Sequence, residues 1–349
     1  MQITELLDYA RRTDCSDVHL SEGLPPSIRR YGVLQPLDRE MDDEQVRALI
    51  FALCGESRRK AVEAGRDADF AFATSEAERY RVNVYHHRKG LAAAIRVLRG
   101  EIPTLEDLFL PPALKTLADK PNGLILVTGP TGSGKSTTLA AMIDYITRSR
   151  AAHIITVEDP IEYVFHQNNC LVHQREVGET VDSFASALRS ALREDPDVLL
   201  VGEMRDYETI STAVTAAETG HLVLSTLHTT GAAQTIDRIV DTCPPQAQQQ
   251  MRTQLSMILR GVVTQQLLPV AAGNGRVAAM EVLIGTDAVC NLIRENKCFQ
   301  LPTMMQSGAS SGMRTMNGDL HTLLNKGIIT RETALQAATD KKDFLSYGA

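Results

Sequence analysis

Several features that would restrict the function of this chain are missing from its sequence. No run approaches the ~18 apolar residues of a membrane-spanning helix, and the densest apolar run, Leu124-Ile125-Leu126-Val127, has the length of a strand. The first residues, Met1-Gln2-Ile3-Thr4-Glu5, lack the charged start and the apolar stretch of a signal peptide. We therefore expect a cytoplasmic protein with no direct insertion into a membrane.

The cysteines and the charge balance argue against further classes. Six cysteines are scattered along the chain with no C-x-x-C pair, so neither a disulfide framework nor a structural zinc site is expected. Lysine and arginine total 36 against 43 aspartates and glutamates, a formal net charge of −7, and no basic strip interleaved with aromatics is present. Because nucleic acids are bound by clustered basic faces, the sequence argues against a nucleic acid as the main partner.

Length and composition predict two globular domains, since the chain has 349 residues of which 43% are hydrophobic and 23% charged. Residues 1–100 are predicted to form a small α+β domain. One helix begins at Ile3, and a second follows Asp42, where Gln45 completes a capping box and Gly55 marks the stop. Short strands are expected at Asp17–Leu20, Ile28–Tyr31, Asp69–Ala73, Tyr80–Tyr85 and Leu91–Leu98.

After residue 120 the pattern changes to alternating strands and helices. Proline-bearing segments in residues 101–120 indicate an interdomain linker. Residues 121–300 are predicted to form an α/β domain, and residues 301–349 a C-terminal helical region. Strands are predicted at Leu124–Thr128, His153–Val157, Val198–Val201 and Leu222–Thr226, and helices at Ser136–Arg148, Ser183–Arg193 and Tyr207–Thr219. This alternation predicts a largely parallel sheet with helices on both faces, and ligands gather beyond the carboxyl ends of such strands.

The strongest functional signal is a glycine-rich loop between a predicted strand and a predicted helix, Gly129-Pro130-Thr131-Gly132-Ser133-Gly134-Lys135-Ser136-Thr137. It matches the phosphate-loop pattern G-x-x-x-x-G-K-[ST], so all nine residues are candidate nucleotide-binding residues. The glycines let backbone N–H groups curl round an anion, Lys135 supplies a charge to the β- and γ-phosphates, and Ser136 is placed to coordinate Mg²⁺. The alternative is a strand–helix turn that binds nothing, and the complete match in context argues against it.

A second signal is the strand Val198–Val201, which ends in Gly202-Glu203. An acid at a strand end near a phosphate loop commonly holds Mg²⁺ through water or polarises the attacking water. Glu203 is therefore the candidate general base and a candidate metal-associated residue. A solvated carboxylate is the alternative, and the neighbouring phosphate loop favours the functional interpretation.

Three carboxylates follow another predicted strand. His153–Val157 is followed directly by Glu158 and Asp159, Pro160 fixes the turn, and Glu162 comes next. Carboxylates at a strand end can serve a metal–phosphate centre, although such acids also cap helices. Glu158 and Glu162 are candidate catalytic residues and Asp159 a candidate metal ligand, and at most two of the three are expected to reach the water shell of the nucleotide.

Histidines bracket the strand Leu222–Thr226. His221 and His228 are seven residues apart and cannot share one face of an extended strand, so a metal-binding pair is unsupported. His228 lies at the carboxyl end, where it can sense the γ-phosphate, and is a candidate catalytic residue. His221 is a candidate nucleotide-binding residue, and a structural role is equally compatible with its position. Arg81 and Arg96 lie on predicted N-terminal strands, where solvated side chains are the simplest interpretation.

The motifs, in this order and spacing, resemble those of the secretion-type hexameric ATPases, and among them the type IV pilus retraction ATPases of twitching motility. The resemblance covers nearly the whole chain. Its segments include Ser16-Asp17-Val18-His19-Leu20, Gln174-Arg175-Glu176-Val177, residues 187–197, residues 202–206, and the stretch from Glu281 to Thr333.

The resemblance implies a PAS-like N-terminal domain, a RecA-like P-loop ATPase domain and a homohexameric ring that uses ATP with Mg²⁺. It makes residues 155–163 an Asp box, residues 198–203 an atypical Walker B motif with a catalytic Glu203, and residues 220–230 a His box containing both histidines. It also raises the two arginines above to phosphate contacts. The implied partners are an inner-membrane platform protein at the pilus base, where the motor lies peripherally on the cytoplasmic face, and the assembly ATPase or a second retraction ATPase.

Retraction is expected rather than assembly, because assembly relatives carry an extra N-terminal domain and usually a paired-cysteine zinc insertion, and both are missing here. One position departs from the pattern: residue 290 in Ala288-Val289-Cys290-Asn291-Leu292-Ile293-Arg294-Glu295 is usually arginine in this family. The alternatives are an assembly or type II secretion ATPase, a nucleotide-gated regulatory paralogue with low turnover, and, as the weakest, a RecA-like translocase on nucleic acid.

Overall fold

The computed structural model describes residues 2–30, 33–38, 41–75, 78–98, 100–273 and 275–346. The chain divides into two compact units. The first comprises Met1–Glu101 together with Pro160–Val164, and the second comprises Ile102–Asp159 together with Phe165–Ala349. The segment that carries Pro160 and Glu162 therefore belongs to the first unit, although the residues before and after it belong to the second.

The first unit is a layer of helices on an antiparallel sheet. Its elements are α1 (Ile3–Arg12), β1 (Cys15–Ser21), β2 (Leu24–Arg30), β3 (Val33–Pro36), α2 (Asp43–Leu53), α3 (Glu56–Glu63), β4 (Ala68–Ser75), β5 (Glu78–His87) and β6 (Gly90–Val97). Within the described residues, six strands pair in the order β3-β2-β1-β6-β5-β4, and every pairing is antiparallel.

Local signals place the helices of this unit. The predicted capping box is present, because the Asp42 side chain accepts from the backbone N–H of Gln45 at 2.7 Å and the Gln45 side chain reaches back to Asp42. The helix stops where Gly55 predicted, because α2 ends at Leu53 with Cys54 as its C-cap. Gly55 itself has a φ of −67° and a ψ of 166°, extended rather than left-handed, and it is the N-cap of α3. Neither α3 nor β3 was predicted from the sequence. Tyr31, the last residue of a predicted strand, lies outside the described residues.

The second unit begins in the proline-bearing segment and contains the alternating elements. They are α4 (Ala113–Ala118), β7 (Gly123–Thr128), α5 (Lys135–Ser149), β8 (His153–Glu158), β9 (Leu171–Glu176), α6 (Phe184–Ala191), β10 (Val198–Val201), α7 (Tyr207–Glu218), β11 (Leu222–Leu227), α8 (Ala232–Thr242), α9 (Gln248–Ile258), β12 (Leu259–Pro269), β13 (Arg276–Ile284), α10 (Asp287–Arg294), α11 (Leu301–Ser307), α12 (Met316–Asn325), α13 (Arg331–Ala337) and α14 (Lys341–Ser346).

The sheet of the second unit runs β13-β12-β7-β11-β10-β8-β9 through the part of the chain that is described. All its pairings are parallel except β12 with β13. The central strands β7, β10 and β11 are buried along their full length, as expected for a parallel sheet covered on both faces. Because these strands are parallel, their carboxyl ends meet at one edge, and the motif residues that follow them meet there too.

The predicted fold class is confirmed: a small α+β unit is followed by a parallel α/β unit and C-terminal helices. The sequence analysis missed β9 and the β12–β13 hairpin, which extend the sheet beyond the four predicted strands. None of the helices in the described part of the chain combines the length and the apolar character that a membrane crossing requires.

Candidate nucleotide-binding site

The glycine-rich loop follows β7 and leads directly into α5. Gly129, Gly132 and Gly134 have φ values of 142°, 78° and 89°, a region that glycine adopts without strain. A Cβ at Gly132 would meet nothing within 4 Å, so the backbone there is open to a ligand. A Cβ at Gly129 would lie 2.3 Å from the carbonyl oxygen of Gln265, so this glycine is required by the close approach of β12.

The polar groups of the loop fit the phosphates of a nucleotide. Lys135 is 8% exposed, and its Nζ donates to the carbonyl oxygens of Gly129 at 2.9 Å and Pro130 at 3.0 Å. Ser136 is exposed in the first turn of α5, whose positive dipole end faces the loop. The Ser133 hydroxyl is buried and has no hydrogen-bond partner within the described structure. The other two side chains of the loop are Thr131, which is exposed, and Thr137, which is half-buried.

Gln265 on β12 clamps the loop from the side, a role that the sequence analysis missed. Its Nε2 donates to the carbonyl oxygen of Ser133 at 2.5 Å, and its Oε1 accepts from the hydroxyl of Thr138 at 2.9 Å. All three residues are almost fully buried. One side chain thus holds both the loop and the first turns of α5, which fixes the loop before any ligand binds.

Glu203 lies just beyond β10, in a turn that β11 holds in place. The Thr226 hydroxyl donates to the carbonyl oxygen of Gly202 at 2.6 Å, and the backbone N–H of Met204 donates to the carbonyl oxygen of Thr226 at 3.2 Å. These two bonds lie on either side of Glu203 in the chain. Since β11 separates β10 from β7, the strand axes of β7 and β10 lie about 9.5 Å apart at the usual strand spacing.

The Glu203 carboxylate is fixed between two cationic or protonatable side chains. One oxygen lies 2.5 Å from Nη2 of Arg205, and the other lies 3.4 Å from Nε2 of His228. The Glu203 side chain is 15% exposed, so it is shielded but still open to water. The sequence analysis assigned no role to Arg205, although it lies in a segment that carries the family resemblance. The structure thus brings Glu203 and His228 together.

The acids after β8 are placed less directly. Glu158 is half-buried, and its Oε1 accepts from the Thr156 hydroxyl at 2.6 Å and from Nε2 of Gln174 at 3.1 Å. Asp159 is exposed at the carboxyl end of β8, three strands from β7. Glu162 lies in the first unit. The catalytic roles of Glu158 and Glu162 and the metal role of Asp159 stay predictions.

The two histidines lie at opposite ends of β11. His228 follows the carboxyl end of β11, next to Glu203, whereas His221 precedes the strand. His221 Nδ1 lies 2.9 Å from the carbonyl oxygen of Ala216, and its own carbonyl accepts from the N–H of Gly123. The six residues of β11 place the two histidines about 20 Å apart. This placement contradicts a contact between His221 and a nucleotide on the phosphate loop of its own chain.

Arg81 and Arg96 both lie on the antiparallel sheet of the first unit. Arg81 pairs with Asp69 at 2.7 Å, and Arg96 pairs with Asp17 at 3.0 Å. Exposed pairs of this kind add little to stability, so both arginines can exchange their carboxylate for another anion at small cost. Their predicted phosphate contacts stay predictions.

Comparison with known proteins agrees with this geometry. Residues 7–338 match the family described as type II/IV secretion system protein. The chain is 48% identical over 345 residues to the type IV pilus retraction ATPase PilT of Pseudomonas aeruginosa, covering 99% of this chain and 100% of that protein. It is 48% identical over 318 residues to a twitching motility protein of Neisseria gonorrhoeae, covering 91% of this chain and 85% of that protein. The crystal structure of the pilus retraction motor PilT with bound ADP superposes with a TM-score of 0.91, at 48% identity and 98% coverage of both chains.

The strand order, with the phosphate loop after β7 and an acid after β10, defines a RecA-like P-loop ATPase. The match extends through both units and the C-terminal helices. The chain belongs to the family of type II/IV secretion system proteins.

Proposed function

We propose that this protein is a Mg²⁺-dependent ATPase motor, assembled as a homohexamer, that powers the retraction of type IV pili. The observation that carries the proposal is the meeting of the phosphate loop and a fixed Glu203 carboxylate at one sheet edge. The full-length similarity to pilus retraction ATPases supports the same direction of work.

Four side chains carry the proposed hydrolysis. The loop and α5 bind the phosphates, and the charge of Lys135 stabilises the transferring γ-phosphoryl group. Glu203 orients a water molecule and accepts its proton as the water oxygen attacks the γ-phosphorus and the bond to the β-phosphate oxygen breaks. His228 and Arg205 hold the carboxylate in the geometry that this proton transfer needs.

The donor set also fits Mg²⁺, which prefers oxygen ligands and keeps several waters when it binds beside phosphates. Ser136 would hold the ion directly, and Glu203 and Asp159 would hold it through water. The ion, when bound, neutralises charge on the β- and γ-phosphate oxygens. The exposed Ser136 hydroxyl at the start of α5 is the observation that supports this assignment.

The ATPase activity is tested by steady-state hydrolysis across protein concentrations. Turnover per chain that rises with concentration supports an assembled ring. Lys135→Ala is expected to abolish nucleotide binding, and Glu203→Gln to leave binding nearly intact while stopping turnover. Glu208→Gln is the matched control, because Glu208 is an exposed carboxylate on α7 that pairs with Arg189 at the surface. Full turnover in Glu203→Gln would contradict the proposed base.

The direction of work is tested in cells. Loss of a retraction motor leaves cells hyperpiliated, whereas loss of an assembly ATPase leaves them without pili. A deletion strain without pili would therefore contradict retraction and indicate an assembly ATPase.

We further propose that the motor acts in the cytoplasm on an inner-membrane platform protein at the pilus base.

Cys290, where the family usually has arginine, is half-buried on α10. Because α10 carries none of the site residues, Cys290→Arg is expected to leave ATP turnover unchanged and to alter only retraction in cells.

A further inference from the structure

Glu281 is a largely buried carboxylate on β13 that has no role in the proposed hydrolysis. It lies opposite Thr264 on β12, and its Oε1 accepts from the backbone N–H of Ala232, the first residue of α8, at 2.7 Å. The backbone N–H of Met316, the first residue of α12, also lowers the pKa of this carboxylate. Two helix N-termini, distant in the chain, therefore lie beside one side chain.

The start of α8 depends on this carboxylate. Gly231 precedes the helix and has no side chain to cap it, whereas other helices of the unit are capped by their own N-cap residues. These residues are Ser183 for α6, Asp206 for α7, Thr286 for α10, Thr315 for α12 and Thr330 for α13. At α8 the acceptor comes instead from a residue 49 positions later in the chain.

Burial of a carboxylate is costly, and here two effects oppose each other. Burial raises the pKa of Glu281, while the N–H groups of Ala232 and Met316 lower it. The positive ends of two helix dipoles favour the charged form at this point. A serine or threonine at position 231 would cap α8 without a buried charge. The carboxylate achieves something that a local cap does not, because it ties the start of α8 to β13.

The segment between β11 and α8 connects this carboxylate to the catalytic centre. His228 follows β11 and lies 3.4 Å from the Glu203 carboxylate, and Ala232 begins α8 only four residues later. The Thr229 hydroxyl, 2.7 Å from that of Thr235, ties this short loop to the first turn of α8. With so few residues between them, a displaced α8 start moves His228.

The C-terminal helices are fixed to the same strand. Asp319 on α12 accepts from the backbone N–H of Met280 at 2.8 Å and pairs with Arg314 at 2.6 Å. Arg314 in turn forms a backbone bridge with Val282. The residues on both sides of Glu281 therefore hold α12, while its side chain also holds α8.

We propose that Glu281 is a positioning residue for hydrolysis: it fixes the start of α8 and thereby the loop that places His228 on Glu203, and it joins this loop to the C-terminal helices. The proposal rests on the catalytic roles given above to Glu203 and His228. Glu281 touches no reacting atom and acts through His228.

The first test needs no catalysis. Amide hydrogen exchange at Ala232 is measured in the wild type, Glu281→Ala and Thr286→Ala. Thr286→Ala is the matched control because it removes the N-cap of α10 in the same unit, away from the His228 loop. Exchange at Ala232, whose N–H donates to Glu281, is expected to accelerate in Glu281→Ala alone. Unchanged exchange at Ala232 in that variant would overturn the proposal whatever the protein hydrolyses.

The second test is a double-mutant cycle on kcat with Glu281→Ala and His228→Ala. Glu281→Ala is expected to lower kcat about tenfold to a hundredfold while the Kd for ATP stays within about threefold. In the His228→Ala background the same change is expected to have little further effect, because the two substitutions act on one contact. Glu281→Gln keeps one acceptor and is expected to retain an intermediate kcat, which serves if the alanine variant folds poorly.

Additive losses, or an equal loss of kcat in Thr286→Ala, would show that Glu281 serves stability alone and would overturn the proposal. An inactive wild type, or an active Glu203→Gln, would overturn the proposed function instead. The amide exchange result separates these two failures.

Discussion

Replacement of Gln265 by leucine tests whether the phosphate loop is held in its binding shape before the nucleotide arrives. The two side chains are close in size, so the change removes two hydrogen bonds and leaves little empty space. The carbonyl oxygen of Ser133 and the hydroxyl of Thr138 lose their partner in residues that are 3% and 2% exposed, where water is not at hand to replace it.

The magnitude follows from these two groups. A buried polar group left without a partner costs about 1–3 kcal/mol. The Thr138 hydroxyl can rotate to the carbonyl oxygen of Gly134, four residues earlier, so most of the loss comes from Ser133. We expect the second unit to lose about 1–3 kcal/mol of unfolding free energy. Because a loosened loop must be reordered on binding, nucleotide affinity is expected to fall about tenfold.

The assay is a titration with ADP, paired with denaturant unfolding of the same samples. Gln266→Leu is the control, since Gln266 is the next residue of β12 and points to the opposite face of the sheet. It is expected to leave the Kd within about twofold. A wild-type Kd in Gln265→Leu, with or without lost stability, would refute the idea that this side chain presets the loop.

Three further predictions concern the rest of the chain. Gly90→Ala is expected to destabilise the first unit by about 2 kcal/mol or more in thermal unfolding, since φ is 149° there and a Cβ would lie 1.8 Å from the Glu22 carboxylate. Arg47 holds the pKa of Glu22 below its usual range, so this ion pair stabilises the fold at pH values above the ordinary glutamate pKa. The stabilisation is lost as the pH falls through the lower pKa of the folded state. The difference in unfolding free energy between the wild type and Arg47→Ala should therefore vanish in acid. Burial raises the pKa of Cys298 to about 11, so a maleimide should label this thiol at about pH 8 only after unfolding.

Much of the fold could be predicted because its signals are local. The capping box at Asp42 and Gln45 spans four residues, and the phosphate loop is a continuous run between a strand and a helix. Each sets its own backbone conformation and needs no knowledge of the rest of the chain. Glu203 and His228 could be placed at one edge for a related reason: parallel strands bring their carboxyl ends together wherever they lie in the sheet.

The residues that hold the site could not be predicted in this way. Gln265 meets Ser133 across 132 residues, and neither its strand nor its spacing carries a pattern. Gly55 marked the boundary of α2 but did not predict that α3 begins there, because glycine occurs both after helix ends and before helix starts. The separation of His221 from His228 depends on where β11 begins and ends, which the alternation of strand side chains does not fix.

The strand order explains why the residues proposed for hydrolysis and the residues that hold the site in place lie on different sides of the phosphate loop. β7 lies between β11 and β12, so the phosphate loop has the acid and histidine on one side and the β12–β13 hairpin on the other. The residues on the first side follow recognisable motifs, because the reaction restricts both their type and their position. Gln265 and Glu281, on the second side, are restricted only by what they hold in place: one the loop, the other the start of α8. A substitution at Gln265 is therefore expected to change nucleotide affinity, and one at Glu281 to change turnover, although both residues lie outside the phosphate loop.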